Sequence, residues 1–159
     1  VRAQRSVGFS FIELIATLAI IGVLLLIVIP SAQTVVKRHR ETELRLALTQ
    51  IRGAIDHYKK AAETGRIAVE SGSSGYPPNL EVLSEGVVDV SSPSEAKIYF
   101  LRRLPADPFH PGTGKYSAET WGLRSYESPP DAPEAGEDVF DVYSTSAGVG
   151  LNGIAYREW

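Results

Sequence analysis

The chain of 159 residues has room for one domain plus a membrane or filament helix, which leaves about 95 residues for a globular head with a modest core. It has no Cys, so no disulfide staples the head; a zinc site would need His and carboxylates, and the three His are scattered. The formal net charge of -3 hides an asymmetry: residues 1–70 hold ten Lys or Arg against six Asp or Glu, and residues 71–159 hold six against thirteen. The acidic half carries no basic patch with interleaved aromatics, so a nucleic-acid partner is not expected.

Val1 to Gly8 is a short polar leader containing Arg2 and Arg5. It precedes FSFIELIATLAIIGVLLLIVIP, Phe9 to Pro30, an apolar run in which Glu13 is the single charge. Phe9 to Ile29 is 21 residues, and at about 1.5 Å rise per residue a helix of that length matches a hydrocarbon core of about 30 Å. The run therefore predicts a membrane-spanning helix. A carboxylate inside it costs on the order of 2.5–3.5 kcal/mol on insertion scales, so Glu13 calls for a partner. Cleavage between Gly8 and Phe9 would create one, an α-amino group four residues from Glu13. That is one helical turn within a copy, or a buried ion pair between two staggered copies.

Two other readings remain open from the residues alone: a secretory signal peptide cut near Ser31 or Ala32, and a signal anchor that is never cleaved. Against the first, the run is long, contains Glu13, and places Pro30 where a small residue is wanted. Lys37, Arg38 and Arg40 compete with Arg2 and Arg5, so the positive-inside rule leaves orientation ambiguous. Gly22 and Pro30 are weak points in the helix, and the missing donor of Pro30 predicts a kink or interruption there.

Beyond Pro30, Leu44, Ala47, Leu48, Ile51, Ala54, Ile55, Tyr58, Ala61 and Ala62 recur at intervals of three and four, which predicts a helix to about Glu63 capped by Gly65. Its apolar stripe is a core face. Glu41, Arg45, Arg52, Asp56 and Lys60 are placed on the opposite face, with Glu41–Arg45 and Asp56–Lys60 as supporting four-residue pairs. His39 and His57 are five turns apart, about 27 Å, and cannot share a metal. ESGSSGYPPN is loop, Leu80 to Val88 a short helix or strand, and Lys97 to Leu104 is expected to be helical. Pro105, Pro108 and Pro111 then force an extended, turning segment. Gly122 to Glu127 and Val139 to Ser144 alternate as strands around the acidic loop SPPDAPEAGED, and Ile154 to Trp159 is a third strand or an ordered tail. The order predicts an α+β fold: a long N-terminal helix, apolar in its first half and amphipathic in its second, packed on a small antiparallel sheet.

The segment GFSFIELIATLAIIGVLLLIVIP resembles the N-terminal motif of the type IV pilin-like family. Gly8 falls at the cleavage position, Phe9 at the new terminus, Glu13 at the fifth mature residue and Pro30 at the end of the apolar run. YPPNLEVL, FLRRLPADPF, Trp121-Gly122, VFDVYS and Trp159 further resemble the major pseudopilins of type II secretion systems. The lack of Cys fits them better than adhesive pilins, which tend to carry a disulfide-bounded loop.

The resemblance implies a prepilin leader at 1–8, a transmembrane and filament-core helix at 9–30, an amphipathic helix continuing into the head at 31–64, and a globular α+β head at 65–159. It implies a structural subunit rather than an enzyme, cut after Gly8 by a prepilin peptidase and methylated at Phe9. A single pass would hold it in the bacterial inner membrane with its head in the periplasm, from where it would polymerise into a helical periplasmic filament. Its partners would be further copies of itself, minor pseudopilins and an inner-membrane assembly platform. Phe9, Glu13, Gly22 and Pro30 would serve assembly: Glu13 would compensate the charged terminus of a neighbouring Phe9, and the stretch from Gly22 to Pro30 would loosen on leaving the bilayer. The basic stem and acidic head would attract each other between copies, less so at high salt. The alternative is a type IV pilin of a surface filament with an adhesive or binding head, read from Tyr116, Trp121, Tyr126, Phe140, Tyr143, Tyr156 and Trp159.

There is one departure from the resemblance. Major pseudopilins commonly bind calcium after the VYS strand through a cluster of Asp side chains; here that stretch is STSAGVGLNGIAYREW, which has no Asp. Calcium takes about six to eight oxygens, and the weak candidates are Asp141, Asn152 and Glu158 with backbone carbonyls of Gly148 to Gly153. No cofactor is expected, with calcium as the minor alternative, and the loop is expected to be held by its own hydrogen bonds and by packing of Trp159 or Tyr156. No nucleophile, base and orienter form a motif, and no stretch fits a phosphate loop. Asp131, Glu134, Glu137 and Asp138 read as a solvated loop, and His110 as a turn residue.

Overall fold

A computed structural model describes residues 8–110 and 117–159, and the side chains of these except 27–32. The leader before Gly8, the side chain of Pro30, Pro111 and Tyr116 lie outside the described residues. In chain order the elements are α1 (Phe11–Glu63), α2 (Val82–Glu85), β1 (Val87–Val88), β2 (Lys97–Ile98), a 3-10 turn (Ser117–Thr120), β3 (Trp121–Arg124), β4 (Asp141–Ser144) and a second 3-10 turn (Tyr156–Glu158). The expected α+β class and its long N-terminal helix are present. The chain divides into two compact units, Val1–His39 and Arg40–Trp159, and α1 contributes to both.

In the first unit every large apolar side chain from Phe9 to Leu26 is exposed, from Phe9 at 80% to Ile15 at 48%. A helix apolar on all sides lacks the stripe of a surface helix. The backbone is helical at Gly22 and across Pro30, so the interruption expected there does not occur. A proline removes one donor from the ladder, and the flanking turns sustain the helix around that gap. The expected span is also not found: no helix among the described residues is long and apolar enough to cross a membrane. The helical backbone itself continues without a break from Phe11 to Glu63.

In the second unit the three-and-four spacing does what it promises. Leu44, Ala47, Leu48, Ile51, Ala54, Ile55, Tyr58 and Ala61 are all buried, with Ala62 packed beside them. Each fully buried Leu or Ile contributes about 1.5–3 kcal/mol of transfer free energy. Ile67, Leu80, Leu83, Trp121, Val139, Val142 and Tyr156 complete the core from the other elements. The helix ends at Gly65, whose φ of 69° suits a residue without Cβ. Its N–H donates to Ala62 O, and the next N–H, of Arg66, donates to Ala61 O. This pair of bonds satisfies two of the orphan carbonyls at the helix end.

The sheet is two separate antiparallel ribbons. β1 pairs with β2 through Val87–Ile98 and Val88–Lys97, and β3 pairs with β4 from Trp121–Ser144 to Arg124–Asp141. The helix expected over Lys97–Leu104 is instead β2 followed by an extended segment. Pairing with β1 takes Lys97 and Ile98, and the amides of Phe100 and Leu101 both donate to Leu83 O in α2. These tertiary bonds override a local helical preference. The extended segment after it is pinned by Asp107, a buried carboxylate that accepts from Ser144 Oγ at 2.5 Å and from the Phe109 N–H at 2.8 Å. The Trp121 indole donates to Pro105 O at 2.9 Å, which ties the same segment to β3.

Candidate functional site

Two regions carry the candidate residues, and each lies within one unit. In the first, Gly8 precedes Phe9, and Glu13 sits in the first turn of α1, where a negative charge complements the helix dipole. Phe9 is exposed, and a Cβ built on Gly22 would meet nothing within 4 Å. The start of α1 thus exposes an apolar surface that carries one carboxylate, Glu13, four residues from Phe9.

The second region is the C-terminal loop after β4. It folds back on itself through a bridge between Val149 and Ala155, with Gly150 N–H donating to Ile154 O at 2.8 Å and Tyr156 N–H to Gly148 O at 3.1 Å. The tail from Ile154 is thus ordered but not a third strand; it ends in the 3-10 turn Tyr156–Glu158. Tyr156 is buried and stacks on Phe109 and against Trp159, with ring centroids 4.1 and 5.1 Å apart. A Cβ on Gly150 would come within 2.5 Å of the Trp159 ring, so the loop packs there with no room for a side chain. Hydrogen bonds within the loop and packing of both aromatics are as the sequence leads one to expect.

Glu41 is the correction. The helical wheel places it on the solvent face, paired with Arg45, but it is buried and turned into the head. Its Oε1 accepts from the Leu151 N–H at 2.8 Å and from the Tyr156 hydroxyl at 3.0 Å. Arg45 instead lies over the Trp159 ring, 4.3 Å from its centroid. The signal was in the spacing: Glu41 precedes Leu44 by three and Leu48 by seven, which is the apolar stripe itself. Charge alone argued for exposure, and two donors supplied by the loop outweigh that argument.

Arg52, also assigned to the polar face, ties α1 to the sheet. Its Nε donates to Asp141 at 2.7 Å, and one Nη donates to Val142 O and to Trp159 O. Arg124 approaches the other Asp141 oxygen at 3.6 Å. Asp141 is therefore committed to two guanidiniums, and Asn152 Oδ1 accepts from the Ile154 N–H at 3.1 Å. Glu158 lines a groove of about 370 Å³ together with Arg45, Arg52, Asn152 and Trp159. Among the described residues no group of three or more His, Cys, Asp or Glu could hold a metal ion. The donors that remain do not fit a calcium ion, which takes about six to eight oxygens with several carboxylates among them.

Burial raises the Tyr156 hydroxyl to about 12, from an ordinary value of 10.0, and the hydrogen bond to Glu41 adds to the effect. A tyrosine whose folded value is raised stabilises the fold fully below its unfolded value, and that contribution is lost as pH rises toward the folded value. The head is expected to lose stability between about pH 10 and pH 12, and Tyr156→Phe is expected to remove that component. Denaturation midpoints across this window check it; equal slopes for both proteins would contradict it.

A long N-terminal helix entering a small α+β head with antiparallel ribbons defines the class and is consistent with a pilin-like fold. The particular likeness is to the type II secretion system core protein G of Klebsiella pneumoniae, 27% identical over 142 residues that cover 86% of this chain and 94% of that protein. A protein of the same name from Klebsiella michiganensis is 26% identical over 112 residues, 68% of this chain and 71% of its own length. The chain thus resembles the major pseudopilin of type II secretion systems. No family model matches the chain, and no solved structure matches it.

Proposed function

We propose that this chain is a structural, non-catalytic pseudopilin of a type II secretion system, made as a membrane precursor and polymerised into a periplasmic filament. The observation that carries the reading is the apolar surface exposed on every side of α1 from Phe11 to Leu26, with Phe9 exposed just before it. Such a surface has to be covered by lipid before assembly and by the helices of other copies after it. The relatives' names support this system, and the Klebsiella pneumoniae protein is matched over 86% of this chain. Cleavage after Gly8 and methylation of Phe9 would leave the new terminus four residues from Glu13. The apolar run would anchor the precursor in the inner membrane. Further copies, minor pseudopilins and an assembly platform are the partners this role requires.

The processing step is tested by Gly8→Ala. A prepilin peptidase that reads the small residue before Phe9 is expected to leave the variant largely uncut in cells that process the wild type. If the variant is cut after residue 8 as well as the wild type, Gly8 is not the recognition residue and the proposed processing site fails.

A further inference from the structure

We propose that the C-terminal loop of this head is closed by a carboxylate of α1 rather than by a metal ion, with Glu41 as the positioning residue. The proposal rests on the head alone and holds whether or not the chain assembles as a pseudopilin. A metal in such a loop supplies a hub on which separated segments converge; here one oxygen of Glu41 is that hub. It gathers the Leu151 N–H at the loop tip and the Tyr156 hydroxyl at the loop base, residues five apart in sequence that meet on a helix more than a hundred positions earlier. Of the side chains that could offer a metal oxygen, Asp141 is engaged with Arg52 and Arg124 and Asn152 with the Ile154 N–H, which leaves the single carboxylate of Glu158 for an ion that takes about six to eight oxygens.

The clamp has the polarity of a designed acceptor site. A carboxylate taking hydrogen bonds from a backbone amide and a hydroxyl is charge-assisted and stronger than a neutral pair. Burial of Glu41 leaves these donors in place of water, and among the described residues no buried side-chain polar atom lacks a partner. Truncating Glu41 strands a buried hydroxyl and a loop amide together, so the loop should open from its tip. An amide in its place still offers one carbonyl oxygen to both donors, which separates the acceptor role from the mere filling of space.

Hydrogen exchange of the full chain in detergent, followed by mass spectrometry over residues 148–156, tests this in excess calcium and in chelator. The wild type is expected to exchange equally in both. Glu41→Ala is expected to speed exchange of this segment by about tenfold or more in both conditions, and Glu41→Gln is expected to retain most of the protection. Calcium slowing wild-type exchange by about tenfold, or Glu41→Ala leaving it unchanged, overturns the proposal. If Glu41→Ala fails to fold, the wild-type comparison and Glu41→Gln decide: calcium-dependent protection, or a Gln variant as open in the loop as unfolded chain, counts against it.

Discussion

Ile51→Ala is expected to lower the stability of the head by about 2–5 kcal/mol. Ile51 is fully buried midway along the stripe of α1, between Leu48 and Ile55, where the elements of the head converge on the helix. Truncation removes its transfer free energy and leaves a cavity in a core assembled from short, separate elements that are poorly able to collapse onto it. Natural domains hold about 5–15 kcal/mol in total, and a head this small sits toward the lower end. The loss is thus a large share of what there is. Leu46, five residues earlier on the same helix, is 58% exposed, and Leu46→Ala is expected to change stability by no more than about 0.5 kcal/mol. Denaturant titrations followed by the fluorescence of Trp121 and Trp159 check the pair. Equal losses would mean that the stripe is not the core.

Glu13→Ala is expected to leave cleavage and membrane insertion intact while reducing assembly about a hundredfold. Removing the carboxylate from the apolar helix relieves the cost of inserting it, so the monomer in the bilayer gains. In the proposed filament the neighbouring Phe9 terminus then stands charged and unpaired among apolar helices. A buried charge in that setting costs on the order of 2.5–3.5 kcal/mol, and about 1.4 kcal/mol is a factor of ten in an equilibrium. Filament yield from cells, set against the amount of processed subunit in the membrane, measures the effect. Undiminished yield would remove Glu13 from the account of assembly.

The parts legible from the sequence were those with a dominant periodicity. The stripe from Leu44 to Ala61 is buried as spaced, and Gly65 ends α1 with the bonds its φ permits. The alternation of Gly122–Glu127 and Val139–Ser144 predicted the β3–β4 pair, which forms over the shorter stretches Trp121–Arg124 and Asp141–Ser144. What was not legible depended on partners distant in the chain. Nothing local in Lys97–Leu104 says that Leu83 O will take two of its amides, and nothing local to Glu41 names Leu151 and Tyr156 as its donors. The same holds for Arg52, whose partner Asp141 lies 89 positions away. The apolar run was legible as composition, and its all-round exposure follows from a stretch with no polar face to turn outward.

The claim that this is a pilin-like filament subunit turns on what happens at residue 9. The intact mass and N-terminal fragment spectrum of the protein, recovered from membranes of cells that contain a prepilin peptidase, test it most directly. The expected result is a chain beginning at Phe9 and carrying one added methyl group. A chain still bearing the residues before Phe9, or one beginning near Gln33, would contradict it and would move the function from the helix to the head.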